Sequence, residues 1–158
     1  MSSTTTRAAA WTAAALILLA VLTTSAAAAA KPLVTPTRNA RLHATVLVNA
    51  AGHTLYNLSV ERKGRFICTN GTCLSLWHPL LVAKGTKPTG RVPLGTVRRP
   101  DGRIQVTYKG APLYTFVQDV KRGDAKGEGF RDVGVWHATT VGGKAAPAPA
   151  PSPGPYGY

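Results

Sequence analysis

Residues 104–119 read Ile-Gln-Val-Thr-Tyr-Lys-Gly-Ala-Pro-Leu-Tyr-Thr-Phe-Val-Gln-Asp. Ile104, Val106 and Tyr108 alternate with polar side chains, which is the period of a half-buried β-strand. Lys109-Gly110 then supplies a turn, and the chain returns through residues 113–116. This stretch predicts a β-hairpin.

The same layout occurs upstream, so the chain is predicted to contain an internal duplication. Apolar residues alternate over residues 42–48, a turn follows at residues 49–52, and residues 54–58 return. Two anchors align the copies. Gly52-His53-Thr54-Leu55-Tyr56 matches Gly110-Ala111-Pro112-Leu113-Tyr114, and Leu76-Trp77-His78 matches Val135-Trp136-His137. Two anchors at nearly one spacing indicate repeats.

Together these patterns predict an all-β fold. Two copies are too few for a solenoid, so the two β-hairpin-containing repeats are expected to pack as one small sandwich or barrel-like domain. We expect the following order: an extended lead-in at residues 31–40, repeat 1 at 41–83, a basic connector at 84–100, repeat 2 at 101–141, and a Pro/Ala/Gly-rich disordered tail at 142–158.

The N-terminal segment predicts export. Residues 1–30 combine Arg7, an apolar centre around residues 16–19 and a run of alanine that offers cleavage sites, which is the pattern of a signal peptide. The alternative is an uncleaved N-terminal anchor, because residues 8–30 carry no charge and a membrane-spanning helix needs about 20 apolar residues. Only in that case would the protein be transmembrane.

The two cysteines agree with an exported protein. Cys68 and Cys73 bracket Asn70-Gly71, a dipeptide typical of tight turns, so their sulfur atoms are expected to lie close together. An oxidising compartment would join them as a structural disulfide. The spacing is neither that of C-x-x-C redox pairs nor that of haem attachment.

The motif of the second copy carries a resemblance to a known family. Tyr114-Thr115-Phe116-Val117-Gln118-Asp119 and the later Trp136-His137 resemble the secreted repeats of predicted bacterial lipoproteins with a Y-x-(F/W/Y)-x-x-D motif. The first copy, Tyr56-Asn57-Leu58-Ser59-Val60-Glu61, has Leu for the second aromatic residue and Glu for Asp. The resemblance covers about residues 40–141 and implies secretion, but no biochemical activity. Many members are lipid-anchored, whereas this chain lacks the cysteine that accepts the lipid.

The motif has two physical interpretations. Tyr114 and Phe116 are two residues apart on a strand, so both rings lie on one face, and Asp119 can fix the following turn through backbone N–H groups. In the first interpretation these are core rings and a turn-locking acid. In the second they form an aromatic ledge with an adjacent acid that binds a sugar ring or a cation, together with the other binding candidates, Tyr56, Trp77 and Trp136.

His78 and His137 occupy equivalent positions and are the candidate metal ligands. If the repeats pack with pseudo-twofold symmetry, the two imidazoles would approach each other, although zinc usually takes three or four protein ligands. No cofactor is expected otherwise. Asp119, Asp124, Glu128 and Asp132 lack the spacing of a calcium loop, and a solvated glycine-rich loop is the simpler interpretation.

The charge suggests the class of partner. The chain of 158 residues has 19 Lys+Arg against 6 Asp+Glu, a net charge of +13. Export removes it from cytoplasmic nucleic acid, so we expect contact with anionic cell-wall or membrane-surface polymers. The leading hypothesis is a non-enzymatic binding or structural module, secreted or held in the periplasm or cell envelope. The alternative is an extracytoplasmic metal or redox carrier. An enzyme is the third hypothesis, since no catalytic motif is visible; the sequence does not indicate an oligomeric state.

Overall fold

The computed structural model describes residues 31–142. The signal peptide or anchor predicted for residues 1–30 lies outside the described residues, as does the predicted tail beyond residue 142. Ten strands and one short helix occur in the described part: β1 (Val34–Asn39), β2 (Ala44–Asn49), β3 (Tyr56–Leu58), α1 (Gly71–Leu76), β4 (Trp77–Pro79), β5 (Leu81–Val82), β6 (Leu94–Arg98), β7 (Ile104–Tyr108), β8 (Ala111–Pro112), β9 (Tyr114–Phe116) and β10 (Trp136–Ala138).

The predicted all-β class is confirmed. The strands form three open antiparallel sheets: a β1-β2 pair, a four-stranded sheet in the order β10-β3-β9-β4, and a third sheet in the order β5-β7-β6, with β8 also paired to β7. Because these strand orders are open-ended, the described sheets do not close on themselves, and a barrel is not formed.

The four-stranded sheet joins the two repeats by exchange of strands. β3 of repeat 1 pairs with β10 of repeat 2, and β9 of repeat 2 pairs with β4 of repeat 1. The two pairings have the same register, because Trp136 faces Leu58 just as Trp77 faces Phe116. At the centre of the sheet, Tyr56 of β3 pairs with Tyr114 of β9, so these two equivalent residues mark a pseudo-twofold axis.

Hydrogen bonds next to this sheet repeat the same symmetry. Leu55 N donates to Leu47 O and Leu113 N donates to Val106 O, at 2.8 and 3.0 Å. On the other side of β2 and β7, the exchanged segments accept in the same way: Leu47 N donates to Thr139 O of the other repeat, and Val106 N donates to Leu80 O. The repeats are therefore interleaved over their whole length, and neither buries its apolar strands without the other.

Both segments that flank the predicted repeats contribute strands. The predicted lead-in, residues 31–40, contains β1, which pairs with β2 along its full length. The predicted connector, residues 84–100, contains β6, which pairs with β7 in the equivalent way. The sequence did not indicate these two strands. Pro36 interrupts the pattern of β1, and in β6 a glycine and exposed polar residues weaken the alternation of apolar and polar positions.

Both predicted turns form, and the chain pairs back after each of them. In repeat 2, β7 and β8 pair through Lys109-Gly110, whose φ angles are 49° and 76°. In repeat 1, the chain turns at residues 49–52 and pairs back onto β2 through the bridge between Val48 and Thr54. Each hairpin is short, because the predicted returning segments continue into β3 and β9, whose partners are strands of the four-stranded sheet. Sequence periodicity indicates which residues are buried, but not which strand lies beside which.

Two hydrophobic clusters fill the interior, and β2 lies between them. Val46 and Val48 belong to the larger cluster with the aromatic residues of the four-stranded sheet. Leu47 points the other way, into the smaller cluster that also contains Val106 and Leu113. A strand buried on both faces loses the strict apolar–polar alternation, which is why three consecutive residues of β2 are buried.

The segment around the cysteines is helical and not a hairpin turn. Asn70 caps the N-terminus of α1, and its side-chain oxygen accepts the Cys73 N–H at 2.8 Å. This arrangement satisfies an N–H that has no partner within the helix. The predicted disulfide between Cys68 and Cys73 is formed across this cap, with 5.4 Å between the Cα atoms.

Candidate functional site

The predicted aromatic residues lie in the core and not on a ledge. Tyr56, Trp77, Tyr114 and Trp136 have 0% of their surface exposed, and Phe116 has 4%. A ring that is closed off from solvent on both faces cannot stack on a sugar or a cation. The ledge interpretation is therefore corrected, and the interpretation as core rings describes what the structure shows.

Trp77 and Trp136 meet across the pseudo-twofold axis. Their ring centroids are 3.8 Å apart and their planes differ by 6°, so the indoles are stacked. Phe116 stacks on Trp77 at 4.4 Å, and Tyr114 meets Trp136 edge-on at 5.1 Å. Gly127 packs against the Trp77 indole and has no room for a side chain, because a Cβ at this position would lie 2.7 Å from the ring. The Y-x-(F/W/Y) part of the motif thus builds the junction between the repeats.

The acid of each motif binds the tyrosine of the other repeat. Tyr56 donates its hydroxyl proton to Asp119 Oδ2 at 2.5 Å, and Tyr114 donates to Glu61 Oε2 at 2.8 Å. Each acid also closes its own loop: Asp119 Oδ1 accepts Lys126 N at 2.9 Å, and Glu61 Oε1 accepts Cys68 N at 2.7 Å. Glu61 thus takes the role of Asp in the degraded first motif, and its extra methylene does not prevent the bond.

Arg99 completes the buried network, although no sequence pattern indicated its role. Its guanidinium donates to Tyr114 Oη at 3.0 Å, to Cys68 O at 2.7 Å and to the Gln105 side chain. The Tyr114 hydroxyl therefore links a buried guanidinium to the buried carboxylate of Glu61. Asn39 ends β1 and donates to Gly123 O at 3.1 Å. The missed signal was positional: Asn39 ends the strand before β2, and Arg99 directly follows the strand before β7.

Burial shifts the titration of these groups. Removal from water raises the pKa of both Tyr56 and Tyr114, and the facing carboxylate raises each further. Burial also raises the pKa of Asp119, although hydrogen bonds from Tyr56 and Lys126 oppose the shift. Asp124 lies a few residues on, and the Lys121 N–H that it accepts lowers the pKa of that carboxyl.

The opposite pKa shifts of Asp119 and Asp124 predict that the two residues change the stability in opposite directions as the pH rises. Since the pKa of Asp119 is raised, the native state binds its proton more tightly than the unfolded chain does. The contribution of Asp119 to the free energy of unfolding then falls as the pH rises above 3.8, which is the ordinary pKa of this carboxyl group. Relative to Asp119→Asn, the wild type should lose stability between pH 3 and pH 6 in urea titrations. Relative to Asp124→Asn, it should gain stability over the same interval. The same sign in both comparisons would contradict this assignment.

The predicted metal pair is not assembled. His78 lies on β4 and His137 on β10, at opposite edges of the four-stranded sheet, so three strand spacings of about 4.8 Å separate them. Among residues 31–142 there is no group of three His, Cys, Asp or Glu side chains that could hold a metal ion. Pseudo-twofold symmetry holds, but it brings the tryptophans together and keeps the histidines apart.

Glu128 is a further buried acid with an internal role. Its two carboxylate oxygens bind His137 Nδ1 at 2.9 Å and Ala138 N at 2.6 Å. The carboxylate therefore fixes β10 to the preceding glycine-rich loop. The sequence predicted a solvated loop around Glu128, because four acids close together in a glycine-rich segment are usually exposed.

The cations of the chain are more exposed than its acids. All six acidic residues accept hydrogen bonds from the protein itself: Glu61, Asp101, Asp119, Asp124, Glu128 and Asp132. Three of these acids are buried, whereas Asp101 and Asp132 are exposed. Among the described lysines and arginines, Arg99 is the buried one and the others are exposed. The surface of residues 31–142 therefore carries a large excess of positive charge.

A cleft of about 340 Å³ lies within the connector, between residues 85–88 and β6. Leu94 and Ile104 supply apolar walls, and Thr86, Thr96 and Lys87 supply polar groups. Since Lys87 is the single cation in its lining, the cleft does not concentrate the positive charge of the surface.

The fold defines a class of small all-β modules made of two repeats that exchange strands around a shared aromatic core. Residues 95–140, which span most of repeat 2, match the model of a family described as a secreted repeat of unknown function. This match confirms the predicted resemblance for that part of the chain and agrees with an exported module. No curated protein and no solved structure is significantly similar to the chain. In residues 31–142, no helix is long and apolar enough to cross a membrane.

Proposed function

We propose that this protein is a non-enzymatic module of the cell envelope that binds linear anionic polymers. The excess of positive surface charge described above is the observation that supports this function. Each acid accepts hydrogen bonds from the protein itself, and in residues 31–142 Arg103 and Lys126 are the exposed cations that pair with an acid. The other exposed cations therefore have few acidic neighbours to neutralise them. A polymer with regularly spaced phosphate or carboxylate groups offers the complementary charge.

The interior supports a scaffold role and not a reaction centre. The buried tyrosines and carboxylates of the motif saturate one another, and the closed disulfide leaves no free cysteine in the described chain. What the motif provides is a rigid junction, and rigid junctions hold surface loops in fixed positions.

The test is binding of the purified protein to two soluble polyanions, polyphosphate and polyglutamate, with neutral dextran as the control. We expect binding to both at 50 mM salt and none to dextran. By the counterion-release relation, three or four ionic contacts weaken binding roughly 20- to 100-fold between 50 and 200 mM salt. Fluorescence anisotropy of labelled polymer measures this dependence.

Three outcomes separate the alternatives. Absence of binding to either polymer at 50 mM salt would contradict the proposal. Binding that does not change with salt would indicate a ligand recognised through uncharged contacts. Binding to vesicles with anionic headgroups, but to neither soluble polymer, would make the membrane surface the partner.

A further inference from the structure

We infer that the protein carries two equivalent polymer-binding loops at opposite ends and cross-links the polyanions that it binds. This inference rests on the proposed function and deepens it. Loop A, residues 62–65, follows Glu61 of the first motif. Loop B, residues 121–126, follows Asp119 of the second motif.

Loop A is held rigidly with its cations outward. Glu61 closes it by accepting Ile67 N at 2.6 Å and Cys68 N at 2.7 Å. Lys63 N donates to Gly110 O at 3.1 Å, which seats the loop on the turn between β7 and β8. That turn adds Lys109, so four exposed cations surround this point: Arg62, Lys63, Arg65 and Lys109.

Loop B is held by the equivalent contacts. Asp119 closes it through Lys126 N, and Thr54 Oγ1 donates to Asp124 O at 2.6 Å. Arg122 packs over Gly52, because a Cβ built there would lie 3.0 Å from its side chain. Loop B thus covers the turn after β2, as loop A covers the turn after β7. Lys121, Arg122 and Lys126 are exposed, and Lys126 Nζ lies 3.5 Å from the Asp124 carboxylate of the same loop.

Antiparallel pairing places the loops at opposite ends of the molecule. β3 and β9 run in opposite directions through the Tyr56–Tyr114 pair, and each loop follows the end of one of them. The turns under the loops, at Gly52 and Gly110, each lie four residues before the central tyrosine. Strand geometry then allows a separation of up to about 25 Å. Because the loops lie at opposite ends, each can hold a separate anionic chain.

Cross-linking is measured separately from binding. Light scattering of long-chain polyphosphate titrated with protein should rise to a maximum and then fall, because excess protein occupies each chain separately. A short polyphosphate oligomer in calorimetry should bind at two per protein. The loop A variant (Arg62→Gln, Lys63→Gln, Arg65→Gln) and the loop B variant (Lys121→Gln, Arg122→Gln, Lys126→Gln) should each bind one oligomer and lose the scattering maximum.

The matched control removes the same charge elsewhere. Lys84→Gln, Lys87→Gln and Arg91→Gln change three exposed connector cations and should keep two oligomers and the scattering maximum. Far-ultraviolet circular dichroism and thermal unfolding verify that each variant is folded. Wild-type binding of one oligomer, or equal loss in the control and the loop variants, would overturn cross-linking while leaving polymer binding intact. No binding of short or long polymer would instead contradict the proposed function.

Discussion

Replacing Trp77 by alanine is expected to lower the free energy of unfolding by about 3–5 kcal/mol. Trp77 has no exposed surface, stacks on Trp136 at 3.8 Å and meets Tyr56 and Phe130 edge-on. Its removal leaves a cavity at the junction of the two repeats, where both contribute side chains. Urea unfolding followed by circular dichroism measures the loss.

His78→Ala is the matched control, because His78 is the next residue of β4 and points to solvent. We expect it to change stability by less than about 0.5 kcal/mol. Trp77→Phe, which keeps a ring in place, should lose less than Trp77→Ala. A loss near 1 kcal/mol for Trp77→Ala, with a large loss of ligand binding, would contradict the core position and restore the aromatic ledge.

The sequence was sufficient to predict the features that depend on neighbouring residues or on the internal duplication. The all-β class, the Tyr114/Phe116 face and the disulfide follow from two-residue periodicity, turn dipeptides and the spacing of cysteines. The equivalence of Trp77 and Trp136 was also visible, because aligned anchors are a property of the chain itself. For these features no knowledge of the partner strand is needed.

What could not be predicted is which repeat supplies each partner. The pairing of β3 with β10, and of β9 with β4, satisfies the same apolar faces as pairing within each repeat would. Periodicity does not distinguish the two. For the same reason, Asp119 could be identified as a turn-closing acid, whereas its bond to Tyr56 of the other repeat depends on a tertiary contact 63 residues away in sequence.

The degraded motif of repeat 1 shows what the motif requires. Leu58 replaces the second aromatic residue and still packs in the larger cluster, opposite Trp136. Glu61 replaces the acid and still binds the tyrosine of the other repeat. The two repeats therefore share a tyrosine and a carboxylate that meet across the axis, whereas the middle aromatic position is filled in one repeat by leucine.

Removal of the buried guanidinium is the second large effect. Arg99→Met should lower the free energy of unfolding by about 3–5 kcal/mol, because three buried acceptors lose the guanidinium that donates to them, and each unsatisfied buried group costs about 1–3 kcal/mol. Gln105, Tyr114 and Cys68 O would each lose a donor. Arg98→Met, at the exposed neighbouring position of β6, is the control and should cost less than about 0.5 kcal/mol. Thermal and urea unfolding of both variants measure the difference.

The double variant tests whether these groups act together. Glu61→Gln removes the carboxylate that shares the Tyr114 hydroxyl with Arg99 and keeps an acceptor for Cys68 N. Arg99→Met should therefore cost at least about 1 kcal/mol less in the Glu61→Gln background. Additive losses would mean that the Tyr114 hydroxyl does not couple the two charges. Coupling would show that Tyr114 and Glu61, the tyrosine of one motif and the acid of the other, act as one unit with Arg99. That unit fixes the base of loop A, so Arg99→Met should also weaken polyanion binding at loop A more than at loop B.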